Sequence, residues 1–213
     1  MSKHVAVLMG GWSAEREISL RSGKACADAA ERCGYRVSRI DVDREVAAAL
    51  RALKPDVALN VLHGRPGEDG TLQGLLEILG IPYSHSGVLA SALAMQKDIA
   101  KTVLKAAGVP VPGGLIATRQ EAAARHLLPP PYVIKPVAEG SSVGVFIVRE
   151  DYKHPPQELT RADWSFGECV LVEPFMRIAN HLSRLDRWLC DAVVAAPQPA
   201  VIDAIEARED PDE

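Results

Sequence analysis

The chain has 213 residues, a formal net charge of −4 and 47% hydrophobic residues, which is enough for a real core in one large or two small domains. The negative charge argues against general nucleic-acid binding, and no apolar run approaches the roughly 18 to 20 residues that span a bilayer. The four cysteines lack C-x-x-C spacing, so neither a zinc site nor a redox pair is indicated. The first apolar run is too short for a secretory signal, and we expect a cytoplasmic protein.

The first eighty residues alternate between short apolar runs and helical segments. The predicted strands cover residues 5–9, 36–41 and 57–62, and the predicted helices cover 13–33, 45–53 and 71–79. This order predicts a parallel sheet with right-handed crossovers. In such sheets the ligand-binding groups lie in the loops that follow the carboxyl ends of the strands.

Two of these loops carry candidate binding residues. Glu15 follows Gly10-Gly11 at or near the start of the first helix, where the helix dipole stabilises a carboxylate; the G-x-G-x-x-G spacing of a dinucleotide site is absent. A carboxylate fixed there could hold a substrate ammonium, and a helix-start glutamate without a ligand is the plain alternative. His63 follows the third strand. Alone it would be read as structural, but we expect it to share the sheet edge with Glu15.

The second half of the chain is less regular. Helices are predicted at 88–95, 96–107 and 120–126, and strands at 115–118, 133–136, 145–148 and 169–175. Residues 109–112 alternate valine and proline and resemble a linker. Residues 153–167 are polar and receive no assignment.

Two of these strands flank a loop that carries two glycines and two serines, residues 139–144. Glycines let a backbone fold closely over a ligand, and successive N–H groups in such a turn suit a phosphate. Lys135, at the end of the first strand, adds a positive charge beside the loop. The pattern is typical of a hairpin that covers a nucleotide triphosphate. An ordinary tight hairpin with an incidental lysine is the alternative.

Five segments together resemble the D-alanine–D-alanine ligases of the ATP-grasp superfamily. They are GGWSAEREISLRSG (10–23), LHGRPGEDGTLQGLLEILGIPY (62–83), SGVLASALAMQK (86–97), YVIKPVAEGSSVGV (132–145) and VLVEPF (170–175). The resemblance implies an α/β fold: a parallel-sheet N-terminal domain that binds substrate (1–95), then a partial ATP-grasp domain that forms a nucleotide-covering lobe (96–175). Residues 176–213 do not match and form a mostly helical tail in this interpretation.

The resemblance also implies a reaction. ATP phosphorylates the carboxylate of one D-alanine, and the amine of a second D-alanine attacks the acyl phosphate, which yields D-alanyl-D-alanine for peptidoglycan with ATP and magnesium as cofactors. By matched position, Glu15 binds the first ammonium, His63 lies beside that substrate, and Ser141 positions it through a hydrogen bond. The implied nucleotide-binding residues are Lys97, Lys135, Glu139, Gly140, Ser142, Val143 and Glu173.

From Met176 onward the sequence departs from the family pattern. The family's C-terminal lobe carries the magnesium ligands, so we assign no metal ligand here and expect the 213-residue chain to be weakly active or inactive. The rival interpretation is a truncated, non-catalytic remnant that binds nucleotide or a partner weakly. A third keeps the ligase chemistry with another acceptor, such as a D-hydroxy acid. A homodimer is one assembly that we anticipate.

Overall fold

The computed structural model describes residues 2–140 and 143–176. Residues 1–175 form one compact unit, and every helix and strand given below belongs to it. The helical tail predicted beyond residue 176 lies outside the described residues. The boundary predicted at residue 95 stays a prediction.

The N-terminal half forms the expected parallel sheet. Its strands are β1 (His4–Gly10), β2 (Arg36–Val42) and β3 (Val57–Asn60) in the order β2-β1-β3. Its helices are α1 (Arg16–Arg32), α2 (Val46–Leu53) and α3 (Thr71–Leu79). The alternation of strands and helices in the sequence therefore predicted this sheet correctly.

Two predicted boundaries in this half were wrong by two or more residues, and side-chain hydrogen bonds explain both; the others agree within one residue. β3 ends at Asn60 instead of residue 62, because the Asn60 side chain accepts from the Leu62 N–H (3.1 Å) and donates to the Gly67 carbonyl (2.8 Å). This turns the chain out of the sheet. The first helix begins at Arg16 instead of residue 13, because Ser13 belongs to the loop and bonds the neighbouring loop through its hydroxyl.

β1 is the central strand, and all seven of its residues are buried. Ala6 and Leu8 pack into a core formed with α2 and α3, whereas Val5, Val7 and Met9 face the opposite way, toward α1. The alternation of side chains along a strand sends successive residues to opposite faces. Helices therefore cover both faces of the sheet, so ligand-binding groups are expected at the ends of the strands.

The second half forms an antiparallel sheet. Its strands are β4 (Leu115–Thr118), β5 (Tyr132–Pro136), β6 (Phe146–Val148) and β7 (Cys169–Pro174) in the order β4-β7-β5-β6. The helices are α4 (Val88–Met95), α5 (Lys97–Ala106) and α6 (Arg119–Ala124), and a short 3₁₀ helix covers Gln157–Thr160. Relative to the predictions, β5 starts one residue earlier, β6 starts one residue later and β7 ends one residue earlier. Helix α5 covers 97–106 instead of 96–107, and α6 covers 119–124 instead of 120–126.

The two faces of this sheet have different compositions. Ile134, Val170 and Val172 point into a core that α6 covers with two buried alanines. Because side chains alternate along a strand, Lys135 and Glu173 lie on the opposite face. No helix in the described part of the chain is both long and apolar enough to cross a membrane.

Candidate active site

The first candidate residue, Glu15, lies at the start of α1, as predicted. The Ser13 hydroxyl accepts from the Glu15 N–H (3.2 Å) and donates to the His63 carbonyl (2.7 Å). One serine thus joins the loop after β1 to the loop after β3 and brings the backbones of Glu15 and His63 together. That both side chains contact one substrate molecule stays a prediction.

The Glu15 side chain is buried at the start of α1. The residue is only 5% exposed, and its Oε1 has no hydrogen-bond partner among the described residues. A β-carbon placed on Gly64 or on Gly140 would lie 3.3 Å from the other carboxylate oxygen, Oε2. Both glycine backbones therefore lie close to this carboxylate, and Gly64 also has a positive φ of 64°, a conformation that favours glycine. Burial of an unpaired carboxylate is unfavourable, so a cationic group placed beside Glu15 would be favoured; that a substrate ammonium supplies it stays a prediction.

The loop after β3 is fixed from within. The side chains of Asn60 and Gln73 both donate to the Gly67 carbonyl, at 2.8 and 2.7 Å. The Gly64 N–H donates to the Glu68 carboxylate (2.6 Å). These bonds hold Gly64 against Glu15 without a ligand, so the carboxylate end of the site is largely preformed.

The glycine-rich loop between β5 and β6 is the hairpin that the sequence predicted. Strands β5 and β6 pair antiparallel, and the Val143 N–H donates to the Gly140 carbonyl (3.0 Å) across the turn. Ser141 and Ser142 lie outside the described residues, so their predicted roles stay predictions.

Lys97 holds the start of this loop. Its backbone N–H donates to the Val137 carbonyl (3.1 Å), and its ammonium donates to the Glu139 carbonyl. Burial lowers the pKa of Lys97, as does the nearby ammonium of Lys135, while Glu139 and Glu173 oppose the shift. The lysine therefore lies where a further negative charge, such as a phosphate, would be favoured.

Lys135 projects from β5 and pairs with Glu173 on β7. The other oxygen of Glu173 accepts from the Lys101 ammonium of α5 at 2.7 Å. The pKa of Glu173 is lowered: burial opposes the shift, but the hydrogen bonds from Lys101 and Lys135 outweigh it. Both oxygens of Glu173 thus accept hydrogen bonds from lysines, and its predicted role in nucleotide binding stays a prediction.

A cavity of about 240 Å³ lies under the glycine-rich loop. It is lined by Lys97, Lys135, Pro136, Glu139, Gly140, Val143 and Val145. Five of the predicted nucleotide-binding residues therefore share one cavity, and the sixth described one, Glu173, bonds Lys135. Gly140 connects this cavity to the Glu15 carboxylate, so the ammonium-binding and phosphate-binding candidates adjoin.

Metal ligands are a different matter. Residues 2–140 and 143–176 contain no cluster of three or more His, Cys, Asp or Glu side chains suited to a metal ion. The described residues therefore do not fit a magnesium site of that kind, and we assign no metal ligand to them.

The sequence reasoning missed two contributors. Ser13 joins the loops of Glu15 and His63, and only its place in a glycine-containing loop hinted at this. Lys101 lies four residues after Lys97 on α5, so helical spacing puts both lysines on one side of that helix. That spacing was the available signal.

The family model described as "D-ala D-ala ligase N-terminus" matches residues 45–86. A D-alanine–D-alanine ligase of Azorhizobium caulinodans is 72% identical over 177 residues, which are 83% of this chain and 58% of that protein. One of Rhodopseudomonas palustris (strain BisB18) is 71% identical over 174 residues, 82% of this chain and 56% of that protein. The chain thus spans a little over half the length of the curated relatives that it matches.

Solved structures agree. The D-alanine–D-alanine ligase of Bacillus anthracis superposes with a TM-score of 0.66 at 32% identity, covering 83% of this chain and 58% of that one. The same enzyme complexed with ATP gives a TM-score of 0.64 at 31% identity, covering 83% and 60%. The antiparallel sheet with its glycine-rich hairpin is thus the beginning of an ATP-grasp fold, as the motifs predicted.

Proposed function

Because the chain belongs to the D-alanine–D-alanine ligase family, we propose that the protein joins two D-alanine molecules in a reaction that converts ATP to ADP and phosphate. In this proposal the described residues bind the first D-alanine and the phosphates of ATP. The product would be the D-alanyl-D-alanine dipeptide of peptidoglycan.

The observation that carries the proposal is the Glu15 oxygen that has no hydrogen-bond partner among the described residues. A buried carboxylate without a counter-ion is costly unless a ligand supplies the charge, and the ammonium of an amino acid is such a ligand. The Gly140 backbone lies next to the same carboxylate. An amino acid bound through its ammonium to Glu15 would therefore lie close to the loop that covers the phosphates.

The lysines support the second half of the proposal. Transfer of a phosphoryl group depends mainly on positioning and on charges that stabilise the transferred group. Lys97 and Lys135 line one cavity with Glu139, Gly140 and Val143 of the glycine-rich loop. A relative at 31% identity is named as complexed with ATP, which supports a nucleotide as the phosphate source.

Three further parts of the proposal rest on family membership alone. We propose magnesium as the cation that accompanies ATP, with no ligand assigned among the described residues, a cytoplasmic location, and a homodimer as the assembly. Sedimentation equilibrium of the purified chain measures the assembly, and a monomer at micromolar concentration would contradict the last part.

The rival interpretation, a non-catalytic remnant, is not favoured, since relatives at about 70% identity are named ligases. The chain's own activity decides between the two. The assay is coupled ADP release with D-alanine, magnesium and ATP. ADP release that requires D-alanine, even if slow, would support the ligase interpretation, and ATP hydrolysis that is indifferent to D-alanine would favour the rival.

Calorimetry tests the Glu15 assignment directly. Loss of a charge-assisted contact costs about 1.5–3 kcal/mol, so Glu15→Gln should bind D-alanine roughly ten- to a hundredfold more weakly. Propionate, which lacks the ammonium, should bind Glu15→Gln at least as tightly as the wild type, because the variant no longer presents a like charge to its carboxylate. Glu17→Gln is the matched control, because Glu17 lies exposed on the same helix. Equal D-alanine affinities of the wild type and Glu15→Gln would remove Glu15 from the site.

A further inference from the structure

Glu173 is shared by two lysines from different elements. Its Oε2 accepts from Lys101 of α5 at 2.7 Å, and its Oε1 accepts from Lys135 of β5. The Glu173 side chain is 11% exposed, and the lysine side chains are 21% and 25% exposed. The three charges therefore form one largely desolvated cluster with a net charge of +1.

The two lysines differ in what else they contact. Lys135 lines the cavity under the glycine-rich loop, whereas Lys101 does not and lines instead a neighbouring cavity of about 560 Å³ beside α5. The backbone also packs directly on Lys101, since a β-carbon on Gly114 would lie 3.3 Å from its ammonium and 3.1 Å from the Glu173 β-carbon. Lys101 is thus fixed on Glu173, while Lys135 faces the cavity that a phosphate would enter.

A phosphate can recruit Lys135 only by drawing its ammonium away from Glu173. If Lys135 were the only partner, its departure would leave a buried carboxylate unpaired, which is strongly unfavourable. With Lys101 in place, Glu173 keeps one counter-ion when Lys135 turns to the phosphate. The cluster separates into a neutral Lys101–Glu173 pair and a lysine bound to phosphate.

We propose that Lys101 is a positioning residue for nucleotide binding, which holds Glu173 and thereby makes Lys135 available to the phosphates. The inference rests on the proposed function, because it presumes that ATP binds under the glycine-rich loop. It adds a residue that acts on the nucleotide through Glu173 without touching it.

Removal of the Lys101 charge should weaken ATP binding. In Lys101→Met, Glu173 retains Lys135 alone, and phosphate must compete with the carboxylate for that ammonium. We expect the Kd for ATP to rise about tenfold or more, because Lys135 would have to give up its charged hydrogen bond to Glu173 in order to bind phosphate. Lys101→Arg, which keeps the charge, should restore most of the affinity. Lys105→Met, an exposed lysine one turn further along α5, is the control and should bind ATP as the wild type does.

A double-mutant cycle separates this role from a structural one. In Glu173→Gln there is no buried anion to balance, so Lys101→Met should change the Kd for ATP by less than about twofold in that background. The four proteins are compared by calorimetry, with melting temperatures recorded for each. An undiminished tenfold loss in the Glu173→Gln background would overturn the inference, because Lys101 would then act on the nucleotide by another route.

Titration of Glu173 by carboxyl-carbon NMR gives a readout that needs no nucleotide. Since Lys101 helps to lower the pKa of Glu173, that pKa should rise in Lys101→Met and stay low in Lys101→Arg. If the pKa of Glu173 were the same in Lys101→Met as in the wild type, the inference about Lys101 would be overturned and the proposed function would stand. Failure of the wild-type chain to bind ATP would overturn the proposed function, and with it the nucleotide role of Lys101. In that case the pKa of Glu173 would still be higher in Lys101→Met than in the wild type.

Discussion

Two regions of the molecule each bury a glutamate, and they treat its charge in opposite ways. The Glu15 region, formed by Ser13, Glu15, Gly64 and Gly140, leaves one carboxylate oxygen without a partner among the described residues. The Glu173 region, formed by Lys101, Lys135 and Glu173, gives each carboxylate oxygen a lysine.

The difference follows from what each region must do with charge. A site that binds a cationic ligand gains from a carboxylate that is placed but not neutralised, because the ligand then supplies the missing partner. A site that binds an anion needs a cationic side chain that can leave its partner within the protein and bind the anion. Such a site requires more positive charge than its own carboxylate neutralises, and the Glu173 region has two lysines for one glutamate. The charge balance of each region thus indicates the charge of its ligand.

The largest expected effect is on stability in the Glu173 region. Glu173→Gln leaves two ammonium groups close together without the anion between them, and loss of one member of a buried ion pair costs about 3–5 kcal/mol. Because both lysines retain about a fifth to a quarter of their exposure, solvent screening reduces this to about 2–4 kcal/mol. Urea denaturation of wild type and variant measures the difference in unfolding free energy.

Glu150→Gln serves as the control for that experiment, since Glu150 is exposed in the same half of the chain, and it should be neutral. A loss below about 0.5 kcal/mol in Glu173→Gln, the range typical of surface substitutions, would mean that the lysine–glutamate cluster contributes little. The contrast between the two regions would then disappear.

The next effect is on nucleotide binding. Lys135→Ala removes one charge-assisted contact to phosphate, which should cost on the order of 1.5–3 kcal/mol of ATP binding free energy. Calorimetry with ATP compares the variant with the wild type, and Lys153→Ala, an exposed lysine, is the control. Equal affinities would exclude Lys135 from the site and leave its pairing with Glu173 purely structural.

A smaller effect of opposite sign is expected in the Glu15 region. Glu15→Gln replaces an unpaired buried charge by a neutral amide of similar volume, so the free protein should gain stability, by about 1 kcal/mol. Urea denaturation without ligand measures the gain. Addition of D-alanine should stabilise the wild type more than the variant, because only the carboxylate binds the ammonium. Destabilisation of the ligand-free variant would show that Glu15 has an internal partner after all.

Much of this arrangement could be predicted from the sequence, because it depends on local pattern. Glu15 lies at a helix start next to a glycine pair, Lys135 ends a strand beside a glycine-rich loop, and the alternation of strands and helices fixes a parallel sheet with its loops at one edge. Each of these signals extends over a few residues, and the structure agrees with all three.

The charge balance of the two regions could not be predicted, because it depends on residues far apart in the chain. Lys101 and Glu173 are separated by 72 positions, and no local sequence pattern around either residue predicts a contact with the other. The approach of Gly140 to Glu15 likewise joins the first loop of one sheet to the hairpin of the other. Even the end of β3 depended on side-chain bonds from Asn60 across a loop.

The smallest expected effect is the pH dependence of the Glu173 region. The folded-state pKa of Glu173 lies below its ordinary value of 4.5, since the hydrogen bonds from Lys101 and Lys135 outweigh the opposing effect of burial. A carboxyl group with a lowered folded pKa contributes stability above the unfolded pKa and loses that contribution as the pH falls through the folded pKa. Between pH 7 and pH 5 the stability difference between wild type and Glu173→Gln should therefore change by only about 0.2 kcal/mol. Below pH 4.5 the difference should shrink steadily. Urea denaturation of both proteins from pH 7 to pH 3 measures it, and a difference that grows on acidification would show that Glu173 is not held ionised by the two lysines.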